Sequence, residues 1–180
     1  PGLGGEVLRR AGGTPVTLPG AEISTSLQTG AIDATEWVGP YNDLAFGLQK
    51  AARYYYYPGW QEPGPTLECM INKDAWDSLP DDLKSIVEIA CMAVNGDVAA
   101  EYTNGNVNAL EQLVNDPTVE LRAFPPEVLA YLKEIADEVV EELVANDPAS
   151  AKIYASFKAF KDKSTLNQRI SEQAFLATRD

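Results

Sequence analysis

Aromatic rings are concentrated in one stretch of the sequence, residues 33–65, which also carries acids beside its turns. This stretch contains two of the three tryptophans and five of the eight tyrosines. Its two turns, Gly39-Pro40 and Pro58-Gly59, each follow an aromatic residue closely, and they are flanked by the acids Glu36 and Glu62. Aromatic walls with a few polar groups at fixed turns are typical of a small-molecule pocket. The alternative is that the rings fill a core or an interface, which composition alone slightly favours.

The absence of histidine restricts the chemistry that these residues could do. It excludes Ser-His-Asp and Cys-His triads and every zinc or iron site with a histidine ligand. Carboxylates and backbone oxygens remain as metal ligands, and such a ligand set prefers a hard cation. Cys69 and Cys91 are 22 positions apart (91 − 69), so they form no CxxC pair for redox or zinc chemistry.

The charge of the chain argues against nucleic-acid and anionic-membrane partners. Of its 180 residues, 14 are basic and 27 acidic, which gives a net charge of −13. Binding to phosphate requires clustered Lys and Arg instead. The charge is uneven: residues 1–65 carry 4 basic and 6 acidic side chains, and residues 66–180 carry 10 and 21. Eleven of the 13 glycines lie in the first part, which is therefore expected to be rich in loops.

Short helical and extended patterns alternate along the first part. Gly12 and Gly30 follow two of the helical patterns and indicate helices over 5–11 and 22–28. β-Branched and aromatic residues beside proline and glycine indicate strands over 15–18 and 34–37. If Tyr54 to Tyr57 form a strand, successive tyrosines alternate faces, so about half of them would lie in a core. The alternation predicts crossover units of an α/β sheet.

A long helix is predicted from residue 81, because Pro80 stands near the first helical position and acids follow it. Gly96 and the 104–106 run weaken the pattern, so a bent helix or two consecutive helices are expected. The predicted buried face consists of Leu83, Val87, Ala90 and Val94.

The remainder of the chain reads as one strand, over 119–123, and two helices. The helices begin after Pro125-Pro126 and at Asp147-Pro148. The first is expected to bury Leu129, Leu132, Ala136, Val139 and Leu143. The second carries an apolar stripe of Ile153, Phe157 and Phe160.

Several short blocks of the sequence form a specific pattern, above all DATEWVGPY at 33–41 and YYYYPGW, which ends at Trp60. Together these blocks resemble the DctP-type extracytoplasmic solute-binding subunits of TRAP transporters. Within that family the sequence resembles the branch that binds 2-oxo acids such as pyruvate. The blocks cover most of residues 1–115. The others are Gly2-Leu3-Gly4-Gly5, Leu27 to Ile32, Asn72-Lys73 and Leu79-Pro80.

The resemblance implies an α/β clamshell of two domains, like other periplasmic binding proteins, with the ligand between its lobes. This chain would be the C-terminal half, followed by long C-terminal helices. Residues 1–38 would belong to the second lobe, 39–77 would be a crossover segment of the first lobe, and 78–180 would form the long helix and the helical C-terminal region. A signal peptide and the rest of the first lobe would precede Pro1.

The family's site implies roles for five residues of this chain. Glu36 and Glu62 would bind a metal ion through their carboxylates, and Trp37 would bind it through its backbone carbonyl. The ion would be Na⁺ or Ca²⁺ and would bridge protein and substrate, since two carboxylates in one pocket repel an anion unless a cation lies between them. The ring of Trp37, with Tyr41 and Leu3, would form an apolar wall beside the substrate.

Two further site residues of the family, a metal-binding Gln and a carboxylate-binding Arg, are expected ahead of residue 1. Neither Arg9 nor Arg10 matches the position of that Arg. The two acids have simpler alternatives: Glu36 could be a strand-end acid paired with an amine, and Glu62 could be an exposed turn acid.

The implied function is capture of a small 2-oxo or 2-hydroxy monocarboxylate in the periplasm and its delivery to TRAP membrane permease subunits, without catalysis. A homodimer through the C-terminal helix is also implied. The alternatives are a metal- and carboxylate-dependent enzyme acting on small organic acids and a helical interaction module. Cys69 is expected in a buried strand and Cys91 on a helix, and small buried hydrophobes are favoured over a disulfide.

Overall fold

The computed structural model describes residues 2–62, 64 and 66–179. Pro1, Pro63, Pro65 and Asp180 lie outside the described residues, so the end of the aromatic stretch is described only in part. The described elements are, in chain order, α1 (Gly2–Arg10), α2 (Gly20–Thr29), α3 (Pro40–Ala45), a 3₁₀ turn (Leu48–Lys50), β1 (Tyr54–Tyr57), α4 (Lys73–Asp77), α5 (Asp81–Asn115), β2 (Glu120–Ala123), α6 (Pro126–Asn146), α7 (Pro148–Ile170) and α8 (Glu172–Leu176).

The chain divides into two units, and the first contains residues 2–15 and 127–179. Its buried apolar side chains are Val7 of α1 and Ile135 and Val139 of α6. The guanidinium of Arg10 donates hydrogen bonds to both carboxylate oxygens of Glu142, at 2.8 and 2.6 Å, and thereby joins α1 to α6.

The apolar face predicted for α6 is confirmed at Val139, which is buried. Leu129, Leu132 and Ala136 are half-buried. The prediction is wrong at Leu143, which is exposed in the last turn of the helix, and it omitted the buried Ile135.

The second unit contains residues 16–126 and holds the parallel sheet. Strands β1 and β2 pair in parallel, with Tyr54 opposite Glu120 and Tyr57 opposite Ala123. The strand predicted over 119–123 is confirmed, and Tyr54–Tyr57 form the strand that the sequence left open. Of the four tyrosines of β1 only Tyr55 is half-buried, so the expectation that about half of them enter a core is too high.

The strands predicted over 15–18 and 34–37 are wrong, because both segments are irregular. A strand requires a partner for its backbone hydrogen bonds. Within the described residues the sheet consists of β1 and β2 alone. The β-forming residue types in these two segments therefore have no ladder to join.

Helix α5 is continuous over 35 residues, a length of about 52 Å at 1.5 Å per residue. A bent helix or two consecutive helices were expected here, and the structure has one helix rather than two. Ala109 and Leu113 are its buried positions, and both lie near its C-terminal end.

The buried face predicted for α5 is wrong in this chain. Leu83 and Val94 are exposed, as is Ala90, and Val87 is only half-buried. The apolar spacing is present in the sequence, but no described element covers the first half of α5.

Helix α7 begins as predicted, with the Asp147 carboxylate accepting hydrogen bonds from the amides of Ala149 and Ser150. Its stripe of Ile153, Phe157 and Phe160 is exposed. None of the described helices is long and apolar enough to cross a lipid bilayer.

The expectation of two buried cysteines is wrong: Cys69 lies in an irregular segment, Cys91 lies on α5, and both are exposed free thiols.

Candidate functional site

The Trp37 indole is fixed by contacts within the second unit. Its ring lies over Gly20 at the start of α2, where a Cβ would be 2.8 Å from the ring atom Cη2. The ring centroid is 4.9 Å from that of Phe46, with the two planes tilted at 45°. The indole Nε1 is buried without a hydrogen-bond partner among the described residues. Packing contacts thus hold the ring in place, and its one polar atom, Nε1, has no hydrogen-bond partner among the described residues.

Glu62 lies close enough to Glu36 to affect the ionisation of Glu36. The pKa of Glu36 is raised, first by partial burial and then by repulsion from Glu62, whereas a hydrogen bond with Gln61 opposes this rise. Asp43 adds a smaller repulsion. The structure therefore brings together the two carboxylates that the sequence placed 26 positions apart (62 − 36).

The turn that leads to Glu62 is tight. The Tyr57-Pro58 peptide bond is cis. At Gly59 a Cβ would be 2.7 Å from the Glu62 carbonyl oxygen, so no larger residue fits there without moving the backbone. This turn directly follows β1, and the strand therefore sets the place from which the Glu62 segment begins.

A buried acid, Asp43, connects the two segments that carry these carboxylates. It lies on α3 and is 8% exposed. Its Oδ1 accepts a hydrogen bond of 3.3 Å from the backbone N–H of Val38, and its Oδ2 accepts one of 2.6 Å from the Tyr55 hydroxyl. Burial and this hydrogen bond raise the pKa of Tyr55, which therefore remains a donor.

Tyr41 packs against α5. A Cβ at Gly105 would be 2.8 to 3.0 Å from atoms of its ring, and its backbone N–H donates a 3.0 Å hydrogen bond to Asn106 Oδ1. The ring stands edge-on to Tyr102 with the centroids 5.9 Å apart.

A groove of about 350 Å³ lies between α3 and α5, and Tyr41 lines it. Its α5 side carries Glu101, Asn104, Asn108 and Gln112.

The last predicted site residue, Leu3, lies on α1 in the other unit and is exposed. Its place in a substrate wall remains a prediction. The structure thus brings Glu36 near Glu62 and joins the segment after Glu36 to strand β1 through Asp43, whereas Tyr41 contacts α5.

The residues around Glu36 fit a hard cation. Glu62 lies near Glu36, and Trp37 follows Glu36 in the chain. Their carboxylate and backbone carbonyl donors are all oxygens, which suit Na⁺ or Ca²⁺. The repulsion that raises the pKa of Glu36 is the repulsion that a bound cation would relieve. No group of three or more His, Cys, Asp or Glu able to hold a metal occurs in the described part of the chain. A complete ligand set therefore needs backbone oxygens or further groups.

Sequence reasoning missed Asp43, Tyr55 and Gln61. Asp43 carries no periodic signal, because it is a single acid in the first turn of a six-residue helix. Tyr55 was one of four consecutive tyrosines, and strand alternation alone does not tell which ring finds a polar partner. One signal for Asp43 was available in the sequence. It follows Pro40 by three residues, a spacing that places an acid in the first turn of α3.

Comparison with protein families gives a match over residues 1–147 to the family described as "DctP: Bacterial extracellular solute-binding protein, family 7". The chain is 40% identical, over 175 residues, to the monocarboxylate 2-oxoacid-binding periplasmic protein of Nostoc sp.. That alignment covers 97% of this chain and 48% of the Nostoc protein. The chain therefore spans about half the length of this curated relative.

Solved structures of TRAP periplasmic solute-binding proteins have the same fold. The protein from Colwellia psychrerythraea, with bound calcium and pyruvate, matches with a TM-score of 0.94 and 38% identity, over 99% of this chain and 54% of that one. The protein from Pseudoalteromonas atlantica, with bound sodium and pyruvate, gives 0.91 and 39%, over 98% and 54%. A Bordetella bronchiseptica protein, a dimer with calcium and picolinate in one active site, gives 0.92 and 33%, over 98% and 52%.

These matches confirm the predicted fold class, since the chain aligns with about half of each α/β solute-binding protein. They also confirm the predicted class of protein, a solute-binding transport component rather than an enzyme. The family match extends over 147 of the 180 residues. The chain belongs to the DctP family of bacterial extracellular solute-binding proteins.

Proposed function

We propose that this chain is the C-terminal half of a periplasmic TRAP solute-binding protein that captures a small 2-oxo or 2-hydroxy monocarboxylate. The observation that carries the proposal is the approach of Glu36 to Glu62 beside Trp37. An acidic pair would repel a monocarboxylate, so it is useful to such a protein only with a cation. Similarity to proteins solved with pyruvate and calcium or sodium supports both the ligand class and the cation.

In this proposal the carboxylates of Glu36 and Glu62 and the carbonyl of Trp37 hold Ca²⁺ or Na⁺. The ion, when bound, supplies the positive charge that binds the substrate's carboxylate and 2-oxo or 2-hydroxy oxygen. The chain's own residues would supply the oxygen ligands, and Trp37 would supply an indole ring next to Glu36 in the chain. The Trp37 ring, Tyr41 and Leu3 form the apolar wall for a short substrate tail.

The proposal also assigns the segments of this chain to the two lobes of the full-length protein. Residues 1–38 belong to the second lobe, 39–77 cross into the first lobe, and 78–180 form the long helix and the helical C-terminal region. Closure of the lobes on the substrate marks the loaded state for the TRAP membrane permease subunits, which receive the acid.

The test uses the full-length protein, stripped of metal with a chelator and titrated with pyruvate by calorimetry, with and without Ca²⁺. We expect binding that depends on Ca²⁺ or Na⁺ and is weakened about 10-fold or more by Glu36→Gln or Glu62→Gln, since each removes a charged ligand. Asp33→Asn, an exposed acid three positions before Glu36, is the matched control and should bind normally. Equal pyruvate affinity in Glu36→Gln and the unmodified protein would overturn the proposed site.

A homodimer through α7 is part of the proposal. The exposed stripe of α7, formed by Ile153, Phe157 and Phe160, is a large apolar surface on one helix. The similar Bordetella protein crystallised as a dimer. Light scattering of the full-length protein should give twice the mass of one chain. Phe157→Asp should give the mass of one chain, and a monomeric unmodified protein would refute this part.

A further inference from the structure

Asp43 is the only buried charged residue in the described part of the chain. Its carboxylate makes no ion pair with Lys or Arg among the described residues. A buried carboxylate without a counter-ion costs folding free energy, which hydrogen bonds offset only in part. Such a group requires an explanation beyond stability.

One partner of Asp43 is the backbone of a proposed metal ligand. The Val38 N–H, which donates to Asp43 Oδ1, belongs to the same peptide unit as the Trp37 carbonyl. A peptide unit is planar, and in its trans form the N–H and C=O point in opposite directions. Fixing the N–H on Asp43 therefore fixes the direction of the Trp37 carbonyl oxygen. Donation to a charged acceptor also polarises the peptide and makes that oxygen a stronger ligand.

The other partner leads to the second proposed carboxylate. Tyr55 lies in β1, and its hydroxyl donates to Asp43 Oδ2 at 2.6 Å. Two residues later the strand ends at Tyr57 and enters the tight Pro58-Gly59 turn before Glu62. One carboxylate thus holds the segment of Glu36 and Trp37 against the strand from which the Glu62 turn starts.

We infer that Asp43 is a positioning residue for the proposed cation site, one that aims the Trp37 carbonyl and joins the two ligand-bearing segments without binding the ion itself. This inference rests on the proposed function. It assigns Asp43 an orienting role of the kind that residues behind metal ligands usually have.

The experiment measures the affinity of the full-length protein for Ca²⁺ alone, by calorimetry after chelation. Asp43→Ala should weaken it by about 10- to 100-fold, the range typical for residues that orient metal ligands. Asp43→Asn keeps an acceptor for the Val38 N–H but loses the charge, so it should stay within a few-fold of the unmodified protein. Tyr55→Phe leaves the Val38 contact intact and should also cause a smaller loss than Asp43→Ala.

A purely structural role is tested in the same samples. If Asp43 positions the ligands, pyruvate affinity in Asp43→Ala should recover at saturating Ca²⁺, because only cation binding is impaired. A loss of pyruvate affinity that saturating Ca²⁺ does not restore would overturn the inference. An Asp43→Asn variant as weak as Asp43→Ala would also overturn it, since charge alone would then explain the effect. Circular dichroism shows whether Asp43→Ala folds. If it does not fold, Tyr55→Phe and Asp43→Asn become the test. Unchanged Ca²⁺ affinity in both variants would overturn the inference, whereas a few-fold loss of affinity in Tyr55→Phe would support it.

Glu36→Gln separates this inference from the proposed function. If Glu36→Gln leaves Ca²⁺ and pyruvate binding unchanged, the proposed site itself is wrong. If Glu36→Gln abolishes binding but Asp43→Ala does not weaken it, only the role of Asp43 is wrong. Asp33→Asn again serves as the charge control outside this hydrogen-bond network.

Discussion

The Trp37 indole lies so close over Gly20 that a Cβ at position 20 would be 2.8 Å from ring atom Cη2. Gly20→Ala must therefore push the ring away from α2, at a cost of about 1–3 kcal/mol for overpacking. This cost exceeds the gain in helix propensity of up to roughly 1 kcal/mol. Denaturant unfolding followed by tryptophan fluorescence should show a lower midpoint. An unchanged midpoint would mean that the indole moves without cost.

Gly105 and Gly96 of α5 form a matched pair. A Cβ at Gly105 would be 2.8 to 3.0 Å from the Tyr41 ring, whereas at Gly96 nothing lies within 4 Å. Gly105→Ala should destabilise the chain by about 1–3 kcal/mol. Gly96→Ala should stabilise it by about 0.5–1 kcal/mol, because alanine favours the helix. Denaturant titrations of both variants check this, and equal effects would show that Tyr41 does not pack there.

The N-terminal cap of α7 makes part of the chain's stability depend on pH. Hydrogen bonds from the Ser150 hydroxyl and amide lower the pKa of Asp147. The folded state therefore favours the ionised carboxylate, and its contribution is present above the unfolded pKa of about 3.9 and is lost as pH falls through the lower folded value. Asp147→Asn keeps a capping side chain without this titration. Melting temperatures from pH 7 to pH 3 should fall less in Asp147→Asn, and identical profiles would contradict the prediction.

Glu36 should reduce stability when no cation is present. Burial and Glu62 raise its pKa, so at neutral pH the folded state carries an ionised group that it disfavours. In chelator, Glu36→Gln should melt at the same or a higher temperature than the unmodified full-length protein. Ca²⁺ at 100 times its Kd should stabilise the unmodified protein by about 2.7 kcal/mol and the variant by much less. A variant that melts lower in chelator would show that Glu36 serves a structural role.

The two cysteine thiols are exposed, and they lie near enough for Cys69 to raise the pKa of Cys91. Because the thiolate is the species that reacts, oxidation of the pair should be tested at mildly alkaline pH. Glutathione disulfide should accept the two electrons and two protons of the thiols, giving a Cys69–Cys91 disulfide and two molecules of glutathione. Mass spectrometry should show a loss of two hydrogens, which Cys69→Ser prevents. Stable glutathione adducts on both cysteines would refute this pairing.

Sequence patterns predicted those elements whose partners lie within the chain. The strand at 120–123 was predicted and one at Tyr54–Tyr57 was left open, and each is the other's partner. Residues 34–37 were also predicted to be a strand, but no ladder for them to join lies among the described residues, so local propensity gave the wrong result there. The same reasoning explains Leu83 and Val94, whose spacing is correct for a buried face that no described element covers.

The site was predictable where a motif existed and not where geometry alone defines the role. Glu36, Trp37 and Glu62 belong to specific blocks or follow them directly, and the fold brings the two acids near each other. Asp43 belongs to no block, because its role depends on a peptide N–H and a tyrosine hydroxyl that only the fold brings to it. Side-chain partners across 12 or more positions leave no local pattern.

The parallel pairing of β1 with β2 also sets an order of events during synthesis. Tyr54 pairs with Glu120, 66 positions later (120 − 54), so this pairing must wait until that part of the chain has left the ribosome. Closing a loop of that length costs about 4 kcal/mol in chain entropy before any contact compensates for it. The contact between β1 and β2, and with it the support that β2 gives to the Glu62 turn, should therefore form only after residue 123 has emerged.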